Sequence, residues 1–271
     1  KGDYLYSPSH KQSILKPARK ERWNYNVRLY FRPRTPDLFM NEGVRPADKR
    51  GEAHCPVPVY LLFDIESVLT HPDTRFSEGD VTQRNKTYKA ASAFRDMPFD
   101  VIYHDSWFRN DERDEVMSAR RAQVIMPTKL SLDYLSQIWC RSTAEYDTLR
   151  CLLPDDVWMR WKDKVSTRTD HNLFNRKNTY VDEAILLADS ARFRFNPCEG
   201  KSADCGTFTV KIEVNTPQSE IHRLTFDDFF GDDLQVDLQG VEAGYTLRMY
   251  FDDLLVYAGH NAPTSDDDDV F

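Results

Sequence analysis

A chain of 271 residues, 40% hydrophobic and 13% aromatic, has the material for one large core or two ordinary ones. No apolar run is long enough to span a bilayer and no hydrophobic leader opens the chain, so no membrane association and a cytoplasmic location are expected. The net charge of −8 is uneven: residues 1–150 carry 24 Lys+Arg against 21 Asp+Glu and residues 151–271 carry 12 against 23, so the first part can meet a polyanion that the second repels.

The chain starts at Lys1 without a methionine, and an N-terminal piece is expected to precede it. Residues 1–26 read as polar and irregular, with one short basic helix over Ser13 to Trp23. Asn26 to Phe31 alternates as a strand and runs into Arg32-Pro33-Arg34-Thr35-Pro36, where two prolines dictate an extended, rigid turn. Arg32 reads as a surface arginine. Asp37 to Glu52 reads as a loop or short helix. Pro56 to Phe63 is a continuous apolar run, the mark of a central strand, and Asp64 caps a helical turn after it. Phe76 to Asp80 reads as a glycine-centred turn, Lys86 to Phe94 as helical, and Phe99 to Phe108 as an aromatic-rich strand. Asn110 to Glu115, almost wholly charged, reads as an exposed loop. Ser118 to Pro127 then reads as a buried strand entered from two arginines; Gln123 falls where alternation turns a side chain towards a cleft, and by composition alone it reads as a satisfied polar residue at a strand edge. Ser131 to Ile138 is expected as a capped helix with Leu132, Leu135 and Ile138 on one face, and residues 143–150 and 154–164 as two further helices.

From about Val181 the period changes to two. Strands are expected at 191–195, 207–214, 221–226, 234–238, 245–251 and 254–257, the spacing of a small β-sandwich. The expected division is 1–180, 185–262 for the sandwich, and a disordered acidic tail at 263–271.

Among chemical motifs, no glycine-rich phosphate loop and no GxSxG elbow is present. Asp227-Asp228 with Asp232-Asp233 lacks the calcium-loop spacing and reads as a solvated turn. His104 beside Asp105 is a weak acid–base pair, because neighbours on a strand face opposite ways. The five cysteines form no CxxC pair or Cys/His cluster, so no metal is expected. Cys198 and Cys205 are placed to bridge in an oxidising compartment, but reduced thiols are expected.

The order of segments resembles the DarT-like family, toxins that ADP-ribosylate DNA bases using NAD. An aromatic-Phe-x-Pro-Arg-x-Pro turn is matched by Tyr30 to Pro36, an apolar strand by Val59 to Phe63, and a Phe-Ser/Thr-Asp-Gly-Asn/His turn is similar to Phe76-Ser77-Glu78-Gly79-Asp80. An Asp- and Trp-containing segment is matched by Phe99 to Trp107. An Arg-x-Ala-Glu strand is matched by Arg120-Arg121-Ala122-Gln123, except at its last residue. The β-rich C-terminal part lies outside the resemblance.

The resemblance implies an α+β fold with a split sheet gripping NAD as substrate, with no metal. Tyr30, Phe31, Arg34, Tyr60, Leu61 and Asp80 would line the NAD site. Arg34 and the position of Gln123 would be catalytic, the family's glutamate there stabilising the oxocarbenium-like centre left when nicotinamide departs. Trp107, Phe108, Arg109, Arg113, Arg120 and Arg121 would meet single-stranded DNA or RNA, by stacking and by phosphate contact. A toxin–antitoxin or phage-defence role, with an antitoxin protein as partner, would follow. Three departures stand out: Gln123 for glutamate, Asp80 for asparagine or histidine, and no match to the family's N-terminal His-containing segment. Gln123 is read as a replacement in an otherwise active enzyme. The alternatives are a catalytically degenerate domain that binds nucleic acid or a protein, and an acidic β-sandwich that recruits or restrains the transferase.

Overall fold

The computed structural model describes residues 4–8, 26–49, 54–84, 86–127, 129–170, 173–198 and 205–261. The helix expected over Ser13 to Trp23 and the acidic tail lie outside these residues. The chain forms two compact units, one of Lys1–Asn41, Val59–Trp139 and Asp170–Asn175, the other of Glu42–Pro58, Cys140–Thr169 and Arg176–Phe271.

The first unit is built on β1 (Tyr4–Pro8), β2 (Asn26–Tyr30), β3 (Val59–Asp64), β4 (Arg75–Ser77), β5 (Gln123–Pro127) and β6 (Leu135–Cys140), in the order β4-β5-β2-β1-β3-β6. The sequence reading missed β1, whose antiparallel pairing with both β2 and β3 puts it mid-sheet. Thr35 starts α1 (Pro36–Asn41): its Oγ1 accepts from the Leu38 N–H at 3.2 Å, and Pro36 occupies the first helical position, where no N–H is needed. Asp64 caps α2 (Ile65–Leu69), accepting from the Ser67 N–H at 2.7 Å. Two short helices follow, α3 (Val81–Arg84) and α4 (Ala91–Arg95). Lys86 to Ala90 is not helical, because Tyr88 bridges to Phe76 and the two rings stack.

Two further expectations are overturned here. Phe99 to Ile102 is a helix, α5, not a strand: Phe99, Ile102 and Tyr103 recur at helical spacing, and Phe99 packs edge-on against Phe31 and Phe94. The charged stretch is also helical, a 3-10 turn at Asn110–Glu112 leading into α6 (Arg113–Ala119), with Val116 and Ala119 buried. After β5, Ser131 does cap, but only a single 3-10 turn at Leu132–Tyr134, and Leu135 to Cys140 continue as β6. The buried cluster of Tyr6, Leu38, Tyr60, Leu62, Trp139, Leu173 and Phe174 joins α1 to the sheet.

The second unit holds α7 (Thr143–Leu152), α8 (Asp155–Trp161) and the short strand β7 (Val165–Thr167). Next come β8 (Val181–Leu186), β9 (Ser190–Phe195), β10 (Phe208–Asn215), β11 (Ile221–Phe229), β12 (Leu234–Asp237), β13 (Thr246–Phe251) and β14 (Leu254–His260). A four-stranded sheet, β11-β10-β13-β14, and a three-stranded sheet, β12-β9-β8, share one core that includes Phe193, Ile212, Val236, Leu247 and Phe251. β8 escaped sequence reading because its exposure does not alternate and a bulge breaks its register after Val181. Fully buried Arg141 donates to Glu145, to Glu42 and to the Pro56 carbonyl, and lies 3.6 Å from the Tyr180 ring centroid. Cys198 and Cys205 are joined in a disulfide, their Cα atoms 5.6 Å apart, against the expectation of reduced thiols there. The architecture is α+β with added antiparallel sheets. No described helix is long and apolar enough to cross a membrane.

Candidate active site

The turn after β2 is where the first unit gathers its cations. Arg32 and Arg34 leave the same turn and meet different surroundings. Arg32 is only 7% exposed. Its Nη1 donates to the carbonyls of Ile102 at 2.9 Å and His104 at 3.1 Å, and its Nη2 to Asp105 Oδ1 at 2.8 Å. The reading of Arg32 as a surface arginine is thus corrected. Arg34 is exposed and adopts a left-handed backbone (φ 55°), a conformation that costs a residue with a Cβ of order 1 kcal/mol. Its N–H donates to the Tyr60 hydroxyl at 3.1 Å, and its Nε to Asn175 Oδ1 at 3.3 Å.

A cavity of about 370 Å³ opens here, lined by Arg32, Arg34 and Arg120 with Phe39, Asp105 and Asn175 among its walls. Arg120 comes from the end of α6: its Nη2 donates to the His104 carbonyl at 2.7 Å, its guanidinium sits 5.1 Å from the Phe108 ring centroid, and its buried Nε has no partner. Burial lowers the pKa of Arg32, with Arg34 adding to the fall and Asp105 opposing it; burial and then the Arg32 charge lower that of Arg120. Three guanidinium groups thus face one carboxylate across a cavity, and one N–H is left unused. Such a site favours a phosphate or pyrophosphate, whose oxygens can accept from several guanidinium donors together.

Gln123 is elsewhere. It opens β5, opposite Tyr30 on β2 and Ser77 on β4, and is 1% exposed. Its Oε1 accepts weakly from the Val81 N–H at 3.5 Å. The Gln123 side chain is therefore an interior one, and β2 and β4 pair the backbone of its strand on either edge. The neighbouring Tyr30 has its pKa pushed up to about 12, mainly by burial, with the Asp37 and Asp80 carboxylates adding. Asp80 is half-buried, its Oδ1 accepting from the Thr82 N–H and hydroxyl.

The remaining candidates scatter. Phe31 and Tyr60 are buried core, Leu61 is half-buried, and Arg121 reaches Asp37 at 3.4 Å. Trp107 is 82% exposed, Arg109 pairs with Asp111 and Glu112, and Arg113 is exposed. Phe108 is half-buried under Arg120. His104 holds its ring against Phe108, and its buried Nδ1 lacks a partner. Sequence reasoning missed Arg32, Asp105 and Asn175 as parts of one site. Asp105 lay within a recognised segment, but nothing local in the sequence marks Asn175, 141 residues beyond Arg34.

The first unit is thus an α+β unit with an arginine-lined cavity and an exposed Trp107. Residues 6–174 match the model of the family described as ssDNA thymidine ADP-ribosyltransferase, DarT, and the chain belongs to that family. Among solved structures, the chain is similar to Thermus sp. 2.9 DarT in complex with NAD+, with 11% identity over 63% of this chain and 97% of that one and a TM-score of 0.45. The same protein in complex with ADP-ribosylated ssDNA gives 12% identity over 62% and 95%, with a TM-score of 0.47. Thermosipho africanus DarTG in complex with ADP-ribose gives 15% identity over 68% and 53%, with a TM-score of 0.42. A comparison with curated proteins found no match. Among the described residues no group of three or more His, Cys, Asp or Glu side chains could hold a metal ion.

Proposed function

We propose that the chain transfers ADP-ribose from NAD to a base of single-stranded DNA. The observation that carries the reading is the cavity lined by Arg32, Arg34 and Arg120, within the segment that matches the family. Its surplus of guanidinium groups suits the pyrophosphate of the dinucleotide. Arg34, exposed on a strained turn, is the group able to reach a bound substrate. In the reaction the bond from the ribose C1′ to nicotinamide breaks and nicotinamide leaves with the electron pair. The base attacks C1′ and then gives up a proton.

Gln123 stands where the resemblance implies a glutamate. An amide can hydrogen-bond a ribose hydroxyl but offers no negative charge to the oxocarbenium-like centre. The chain is therefore read as a weakened transferase of toxin type, working in the cytoplasm under an antitoxin partner and serving in phage defence. Mass spectrometry of single-stranded DNA and RNA oligonucleotides incubated with NAD tests this, with the chain and its Gln123→Glu variant side by side. A DNA adduct that rises by orders of magnitude in the variant is expected. No adduct from either protein on any oligonucleotide sinks the reading.

One observation favours the rival reading of a binding module: the Gln123 side chain is 1% exposed within the sheet, away from the arginine-lined cavity. That reading expects oligonucleotide binding without any adduct in the same experiment.

A further inference from the structure

A second cavity, of about 750 Å³, lies wholly within the second unit, between the end of α7 and strands β8, β13 and β14. Its walls carry Asp147, Arg150, Cys151, Asp155, Tyr257 and His260 among others. Most of these groups are already engaged. Arg150 pairs with Asp155 at 2.8 Å and lies 5.4 Å from the Trp158 ring centroid. His260 Nδ1 sits 3.4 Å from the Thr246 hydroxyl. The Asn261 amide is used up between the Gly244 N–H and the Leu186 carbonyl.

Three groups are not engaged: the free Cys151 thiol, Asp147 and Tyr257. Asp147 is a half-buried carboxylate with no hydrogen bond or ion pair among the described residues. Tyr257 is 1% exposed, yet its hydroxyl makes no hydrogen bond among them either. That hydroxyl passes beside Gly259, where any Cβ would collide with it. Burial raises the pKa of Asp147, and burial together with the Asp147 charge raises that of Tyr257. A carboxylate and a hydroxyl that line one cavity without a protein partner are both open to a ligand's donors. With Asp155 paired to Arg150, Asp147 is the one lining carboxylate without an ion pair among the described residues.

We propose that this cavity binds an organic cation, a guanidinium or primary ammonium group, held by the Asp147 carboxylate and the Tyr257 hydroxyl. A cation with several N–H donors serves both acceptors at once, and the volume falls in the range of small-ligand sites. The cation comes either as a free amine or as an arginine side chain of a partner protein.

Isothermal titration of the full chain with agmatine, and separately with the peptide N-acetyl-Gly-Arg-Gly-amide, tests the inference and separates the two sources. Saturable binding of at least one probe is expected, with tighter binding of agmatine assigning a free amine and tighter binding of the peptide a partner's arginine. Asp147→Asn should weaken that binding about tenfold or more, and Tyr257→Phe by a smaller factor. Circular dichroism checks that each variant is folded; should Asp147→Asn fail to fold, Tyr257→Phe carries the comparison. Binding of neither probe at millimolar concentration overturns the inference, as does binding that the folded variants leave unchanged. Neither readout uses NAD or DNA, so the result stands apart from the transferase reading.

Discussion

Arg32 and Arg34 are separated by one proline, and their surroundings give them opposite uses. Arg32 satisfies two backbone carbonyls and a carboxylate of the Ile102–Asp105 segment from a buried position. Arg32→Met would leave those acceptors unpaired and should cost about 3 kcal/mol in urea unfolding. Arg34 is exposed, so Arg34→Ala should move stability by no more than about 0.5 kcal/mol while removing ADP-ribose transfer. Equal destabilisation by the two changes would contradict this division. Asp64 offers a pH test at the same scale. Its hydrogen bonds from Ser67 hold its pKa below the ordinary carboxylate value. A depressed folded-state pKa gives stability that is present above the unfolded value of about 4 and is lost as pH falls through the folded one. Asp64→Asn keeps the cap but has no charge to titrate, so its stability should fall less than the wild type's between about pH 5 and pH 2. Parallel stability–pH curves would exclude a contribution from the Asp64 charge.

The elements between β4 and β5 show where sequence reading stops. Period two was legible where a strand buries alternate residues, as β10 does with Phe208, Val210, Ile212 and Val214 and β13 with Leu247, Met249 and Phe251. It misled over Phe99 to Phe108, where aromatic content resembled a strand but Phe99, Ile102 and Tyr103 turn one helical face inward. The charged run Asn110 to Glu115 reads as a loop because it carries no apolar residue; the buried residues that make its helix visible, Val116 and Ala119, lie just beyond it. The site was half legible. Arg34 and Arg120 stand out in short motifs, whereas Arg32, Asp105 and Asn175 join them only through tertiary folding. One consequence of the helical segment is that Trp107, 82% exposed, sits beside a well-anchored backbone rather than at a loose loop tip. A stacked base is worth about 1–3 kcal/mol. Trp107→Ala should therefore weaken binding of single-stranded DNA about tenfold or more in fluorescence anisotropy, with the melting temperature unchanged. Undiminished binding would remove Trp107 from the nucleic-acid surface.

At the scale of the whole chain, the β-rich part does not behave as a separable appendage. Its core draws in Val44 and Ala144 from well before the sandwich strands, and Val181 from the first of them. Strand β14 packs on α7, where the Thr148 hydroxyl accepts from the Ala258 N–H at 3.0 Å. A chain ended at residue 184 would expose these apolar residues and leave α7 without the sheet it covers. Burial of such side chains is worth about 1.5–3 kcal/mol each, against a total stability of about 5–15 kcal/mol for a domain. The truncated chain should therefore lose cooperative unfolding of its second unit and aggregate, as read by circular dichroism melts and light scattering. If it instead melts with the full chain's midpoint and slope, the sandwich is an independent module. The distinction decides how the acidic surface is tested. Loss of DNA binding or antitoxin binding on truncation would report a broken core, not a lost interaction. Replacing exposed Asp227 and Asp228 by lysine leaves the buried residues of β10 and β13 in place, so a change in partner affinity there would report the charge itself.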